Sequence, residues 1–210
     1  MSKVMELAQA VENGKSKLVA GLVQAAVEEG SDPVEILNKG MIDAMAVVGE
    51  KFKAGEIFVP EMLVAAKAMK KGVEALKPHL GSGDTHKIGK MAMGTVYGDL
   101  HDIGKNLVIM MIESTGYEVV DLGIDVPVEA FLEAANDPEV TVIGVSALLT
   151  TTMGAMQEIV SALNKHPRRA EFKIMVGGAP ITADFAREIG ADVYTEDAAS
   201  AGQAAKALAQ

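Results

Sequence analysis

Apolar residues change their spacing once along this chain, and that change constrains the fold more than any other feature. From Lys3 to Leu76 they recur at helical intervals, with no strand-like alternation. Beyond Met91, short apolar runs alternate with helical stretches instead. The two regimes meet at PHLGSGDTHKIG, a polar segment rich in turn formers between Lys77 and Gly89, which reads as a linker. The expected organisation is a helical domain over 1–80, a linker over 81–89 and an α/β domain over 90–210.

In the first half, Asp32-Pro33-Val34-Glu35 is a helix start. It has an Asp cap, a Pro at the first helical position and a Glu two residues after it. The helix that follows carries Ile36, Leu37, Met41, Ala44, Met45, Val48 and Phe52 on one stripe. Gly14, Gly30 and Gly55 punctuate the region into about four helices, the last from Pro60 to Leu76 with Met62, Ala66, Met69 and Val73 on a face. Helices of this number and length predict a small four-helix bundle.

In the second half, strands are expected at Met91–Tyr97, Glu118–Leu122, Val140–Ala147, Phe172–Val176 and Ala191–Tyr194, with helices filling the gaps. Continuous apolar strands alternating with helices predict a five-stranded parallel sheet covered on both faces, a flavodoxin-like (Rossmann-type) domain. With the common strand order 2-1-3-4-5, a ligand crevice opens at the carboxyl ends of strands 1 and 3. Three polar or glycine-rich stretches fall on that edge: GDLHDIGKN (98–106), SALLTTT (146–152) and GGAP (177–180).

Composition narrows the function classes. A net charge of -10 argues against nucleic acid or an anionic membrane as partner, because either needs clustered Lys and Arg. With no cysteine, thiolate metal sites, disulfides and thiol catalysis are excluded. No signal-peptide core and no run long enough to span a bilayer is visible, so a cytoplasmic protein is expected.

GDLHDIGKN admits three readings. A phosphate loop fails on spacing, since five residues stand between Gly98 and Gly104 where the motif has four, and on chemistry, since Asn106 replaces the hydroxyl residue and Asp99 and Asp102 would face the phosphate. A divalent metal site lacks any two-histidine spacing to support it, because His79, His86 and His166 lie elsewhere. An ordinary turn is the default for Asp99 or His101 taken alone.

The residues taken together resemble a known family, the cobalamin-binding module of methionine synthase, corrinoid methyltransferase systems and certain adenosylcobalamin mutases. Its pattern is D-x-H-x-x-G, then S-x-L, then G-G. Here Asp99, His101 and Gly104 are followed after 41 residues by Ser146 and Leu148, and after 28 more by Gly177-Gly178. In addition, FVPEMLVAAKAMKKGVEALKPHL (58–80) is similar to the last helix of the helical cap that precedes the module in methionine synthase and in stand-alone corrinoid proteins. The resemblance covers almost the whole chain.

The resemblance implies cobalamin bound base-off, with His101 as lower ligand of cobalt, Asp99 on the other imidazole nitrogen and Thr152 completing the relay in place of the family's usual serine. It implies that Ser146 and Thr150 bond the nucleotide tail or its surroundings, that Leu148 packs beside it, and that Gly104, Gly177 and Gly178 leave room for it. Phe58 and Met62 are the expected lid contacts from the cap. The implied function is a carrier that takes a methyl group on cob(I)alamin from a substrate-specific methyltransferase. It passes that group, as methyl-cob(III)alamin, to a second methyltransferase with tetrahydrofolate or coenzyme M as acceptor. A corrinoid reductive activase is the further implied partner, and the chain is not expected to turn over alone. A cobalamin sensor or storage module and a small subunit of an adenosylcobalamin mutase are the alternatives. The donor, whether methylamine, betaine, methanol or aryl methyl ether, is not written in this chain.

Overall fold

A computed structural model describes residues 2–79 and 88–209, so residues 81–87 of the expected linker lie outside the described residues. The chain divides into two compact units, one over residues 2–79 with 114–116 and one over 88–113 with 117–209.

The first unit contains α1 (Lys3–Glu12), α2 (Ser16–Glu28), α3 (Pro33–Leu37), α4 (Asp43–Lys53) and α5 (Val59–Leu76). Gly14, Gly30 and Gly55 follow three of these helices with positive φ, as punctuation requires. The Asp32 carboxylate accepts from the Val34 and Glu35 amides at 2.7 and 3.3 Å, so the expected helix start is realised. The expected single helix after it is not uniform. Residues Asn38–Ile42 form a π-helical turn between α3 and α4. Within that turn, a Cβ on Gly40 would lie 2.8 Å from a Leu7 methyl of α1. The widened turn and its side-chain-free position thus admit close approach of α1, and Phe52 at the far end of the stripe is only partly buried.

The second unit alternates β1 (Gly89–Val96), α6 (Ile103–Glu113), β2 (Tyr117–Val126), α7 (Val128–Asn136), β3 (Val140–Ser146), α8 (Met153–Asn164), β4 (Lys173–Gly177), α9 (Ala183–Ile189), β5 (Val193–Thr195) and α10 (Ala198–Leu208). Gly89, expected in the linker, already belongs to β1. All neighbouring strands are parallel, in the order β2-β1-β3-β4-β5. Each face of the sheet has its own core. Ala92, Val96, Ile143 and Val145 pack with Phe131, Met156 and Ile159 on the α7–α8–α9 side. Met91, Met93, Val142 and Met175 pack with Ile109, Ile112, Ala201 and Ala205 on the α6–α10 side. The central strands are buried on both faces, which is why their sequences are continuous apolar runs. Chain winding reverses at β1 and β3, so the loops following those two strands flank the crevice.

Candidate functional site

Asp99 is the centre of the site. It follows β1, is completely buried, and divides its two carboxylate oxygens between two loops. Oδ1 accepts from the His101 amide at 3.1 Å and meets His101 Nδ1 at 2.9 Å. Oδ2 accepts from the Leu148 amide at 2.7 Å and from the Thr152 hydroxyl at 3.0 Å. One side chain therefore ties the loop after β1 to the loop after β3.

Burial alone pushes the Asp99 carboxyl upward. The opposing bonds from Leu148, His101 and Thr152 outweigh it and hold its pKa at about 2. At neutral pH Asp99 is thus ionised and can only accept, so Nδ1 of His101 carries the hydrogen and the lone pair of a neutral ring lies on Nε2. Nε2 has no partner among the described residues, and the His101 side chain is 52% exposed. The loop is braced further by Thr95, whose hydroxyl donates to the His101 carbonyl at 3.0 Å.

The remaining expected residues fall on the same edge. Ser146 ends β3, and Thr150 and Leu148 lie in the loop beyond it. The Ser146 and Thr150 hydroxyls have no hydrogen-bond partner among the described residues. Thr152, by contrast, is buried and committed to Asp99 or to the Leu149 carbonyl at 2.9 Å.

The glycines divide into two kinds. Gly177 and Gly178 are required by the protein itself: a Cβ on Gly177 would lie 2.9 Å from the Thr195 carbonyl oxygen, and one on Gly178 would collide with the Ala147 carbonyl oxygen, at a φ of +131°. Gly104 is different, because a Cβ there would meet nothing within 4 Å among the described residues. Helical packing gives no reason for glycine at this position, whereas a group lying against the first turn of α6 would. The rim supplies a matching apolar surface. Tyr97, Leu100, Ile103, Leu148 and Leu149 are all exposed, Ile103 at 82%. A free imidazole nitrogen, two unpaired hydroxyls, a side-chain-free helix turn and an apolar rim suit a large cofactor with one metal and a polar tail.

Lys105 does not look outward. It is buried, and its Nζ bonds both oxygens of Asp121 at 2.6 and 2.7 Å and Asn106 Oδ1 at 2.7 Å. It pins the first turn of α6 to β2 and is spent there, which disposes of the phosphate-loop reading. No group of three or more metal-ligating side chains occurs among the described residues, which leaves the bare divalent site without support. Phe58 is exposed just ahead of α5, whereas Met62 is fully buried and presents no surface in this structure. Sequence reading missed Lys105–Asp121 and Asp125. The only local signal for them was the Asp-Leu-Gly-Ile-Asp run at the end of β2.

Residues 89–205 match a family described as B12 binding domain, and residues 5–77 match a second model of the same description. A corrinoid protein of Desulfitobacterium hafniense is 40% identical over 211 residues, spanning 99% of this chain and 98% of that one. Dimethylamine corrinoid protein 1 of Methanosarcina acetivorans is 43% identical over 206 residues, 98% of this chain and 96% of that one. The crystal structure of the methanol:cobalamin methyltransferase complex MtaBC from Methanosarcina barkeri superposes with a TM-score of 0.86 at 33% identity, over 99% of this chain and 79% of that one. No helix among the described residues is long and apolar enough to cross a membrane. With both of its units matched and relatives aligned along nearly its full length, the chain belongs to the B12-binding corrinoid proteins of methyltransferase systems.

Proposed function

We propose that this chain holds its corrinoid base-off, with Nε2 of His101 as the lower axial ligand of cobalt. In this reading it carries a methyl group in the cytoplasm between a substrate-specific methyltransferase and a second methyltransferase acting on tetrahydrofolate or coenzyme M. When bound, the corrinoid supplies a cobalt centre that can take up and give away a methyl group. The observation that carries the reading is the buried Asp99 carboxylate, which leaves only Nε2 of His101 available for a ligand. Its negative charge also strengthens the imidazole as a donor. Whenever His101 is released, its Nε2 is the atom that can accept a proton, with Asp99 still holding Nδ1–H.

Gly104 leaves space for the nucleotide tail, Ser146 and Thr150 offer it hydroxyls, and Leu148 packs beside it. Gly177 and Gly178 keep the neighbouring loop low at the edge of the same crevice. Of the two helical-unit residues expected to face the cofactor, exposed Phe58 is retained, and Met62 would first have to be uncovered. Relatives named for dimethylamine and trimethylamine, and a solved complex named for methanol, support small methylated compounds as the donor class. A reductive activase is the third partner in this reading.

The ligand assignment is tested on the full chain loaded with cobalamin and reduced to the cob(II) state. Wild-type protein should show nitrogen hyperfine splitting in its EPR spectrum, and His101→Ala should lose it while retaining bound cofactor. Splitting that persists in His101→Ala would refute the assignment. Carrier status is tested by supplying methylated amines or methanol to the reduced protein. Methylation should require an added methyltransferase, and multiple turnovers by the lone protein would make it a complete enzyme instead.

A further inference from the structure

Asp125 is the one non-glycine residue with positive φ among the described residues, at 53°. It stands near the end of β2, where the pairing with β1 slips twice: Met93 faces Asp121, Gly94 faces Gly123, and Val96 faces Val126. Each slip adds one residue to β2. Bulges are uncommon between parallel strands, and where they occur they re-aim a side chain. Here the side chain re-aimed is that of Asp125. Its Oδ1 accepts the Gly98 amide hydrogen at 2.7 Å, and its own amide donates to the Asp99 carbonyl oxygen at 3.0 Å. Gly98, at φ 78°, and Asp99 are the first residues of the loop that delivers His101. One residue of β2 therefore grips that turn by two bonds running in opposite senses.

Packing does not explain why Asp125 adopts this conformation. The residue is exposed, and glycine would take the same backbone geometry without strain. Its carboxylate makes no bond other than the one to Gly98 among the described residues. Asp tolerates the left-handed region better than most residues and brings the acceptor that glycine lacks.

We infer that Asp125 is a positioning residue: it holds the Gly98–Asp99 turn so that Asp99 Oδ1 meets Nδ1 of His101, and thereby fixes which ring nitrogen is left for a ligand. Its consequence for the cofactor rests on the proposed role of His101, but its effect on the ring does not.

The test uses the full chain without cofactor, labelled with nitrogen-15, the His101 signals being identified by their loss in His101→Gln. Asp125→Asn keeps an acceptor oxygen and tolerance of positive φ. Asp125→Gly keeps the backbone conformation and its amide but removes the acceptor, so it separates the hydrogen bond from the strain and leaves the fold intact. Wild-type and Asp125→Asn proteins should both show the tautomer protonated at Nδ1. In Asp125→Gly the ring should drift towards a mixture of tautomers, and the Gly98 amide should exchange roughly tenfold faster, the effect of one lost hydrogen bond. A merely structural role would lower Tm without moving the tautomer. A wild-type tautomer in Asp125→Gly would overturn the inference, whether or not Gly98 exchange changes. Failure of the ligand reading is a separate event, visible as missing nitrogen splitting in the loaded wild-type protein.

Discussion

Both ends of the parallel sheet carry charged and polar groups but use them in opposite ways. At the amino ends of the strands, Arg168 donates to the Ala135 and Asp137 carbonyls, both at 2.7 Å. Arg169 pairs with Asp192 and also reaches Asn164 and the Phe172 carbonyl, and Lys90 pairs with Asp137 and Glu139. Every one of these cations is satisfied by the chain itself. At the carboxyl ends, Asp99 is satisfied just as fully, yet its bonds leave Nε2 of His101 without a partner among the described residues, on the sheet edge that also carries the Ser146 and Thr150 hydroxyls and exposed apolar side chains. A closed network serves stability, whereas a network closed on one side and open on the other presents a site.

The largest effect that could break this contrast is expected from Asp99→Ala. It leaves the Leu148 amide without its buried acceptor and the Thr152 hydroxyl with only the Leu149 carbonyl, which should cost about 2 kcal/mol in urea unfolding of the α/β unit. Asp99→Ala should also weaken corrinoid binding. A loss below about 1 kcal/mol would show that the two loops are held by something other than this carboxylate.

Acid should act on the same residue. Because the Asp99 pKa is depressed to about 2, its contribution is fully present above the unfolded-chain value near 4 and disappears as the pH falls through 2. The loss across that window is on the order of 2 kcal/mol, and it should be absent from the matching acid titration of Asp99→Ala.

At the opposite end, Arg168→Ala removes two bonds to backbone carbonyls and should destabilise by about 2 kcal/mol. Cofactor affinity and the cob(II) spectrum should stay unchanged. A spectral shift would mean that the closed end communicates with the open one.

The smallest stability change belongs to Gly104→Ala, and its sign is the informative part. With nothing within 4 Å of the new methyl group and a helical position beneath it, the cofactor-free protein should gain about 0.5–1 kcal/mol. The same methyl group should weaken corrinoid binding by roughly tenfold through overpacking. Unaltered affinity would remove Gly104 from the list of residues that make room for the tail.

What could be read from the chain alone follows from local chemistry. Periodicity separated the helical half from the α/β half, and continuous apolar runs marked buried parallel strands. The cap at Asp32 and the glycines at 14, 30 and 55 marked helix ends. Each of these signals is carried by residues a few positions apart, where backbone preference and burial pattern act directly. The pairing of Asp99 with His101 came instead from the resemblance to the cobalamin-binding module, since either residue taken alone reads as a turn.

Tertiary structure alone decided the rest. The widened turn at 38–42 goes with an approach to Leu7, more than thirty positions away. That Gly178 answers to the Ala147 carbonyl while Gly104 answers to no atom of the described residues is visible only once the loops are assembled. Lys105 is drawn inward by Asp121, and Asp125 reaches Gly98, through strand pairings that bring distant segments side by side. Met62, expected as a lid contact, proved fully buried, which its place on an apolar helix face could not tell apart from exposure. The amino-acid sequence by itself determined the elements, their order and the chemistry at the strand ends. Which of those groups are spent and which are left to act depended on hydrogen bonds across long loops, whose partners no local preference can name.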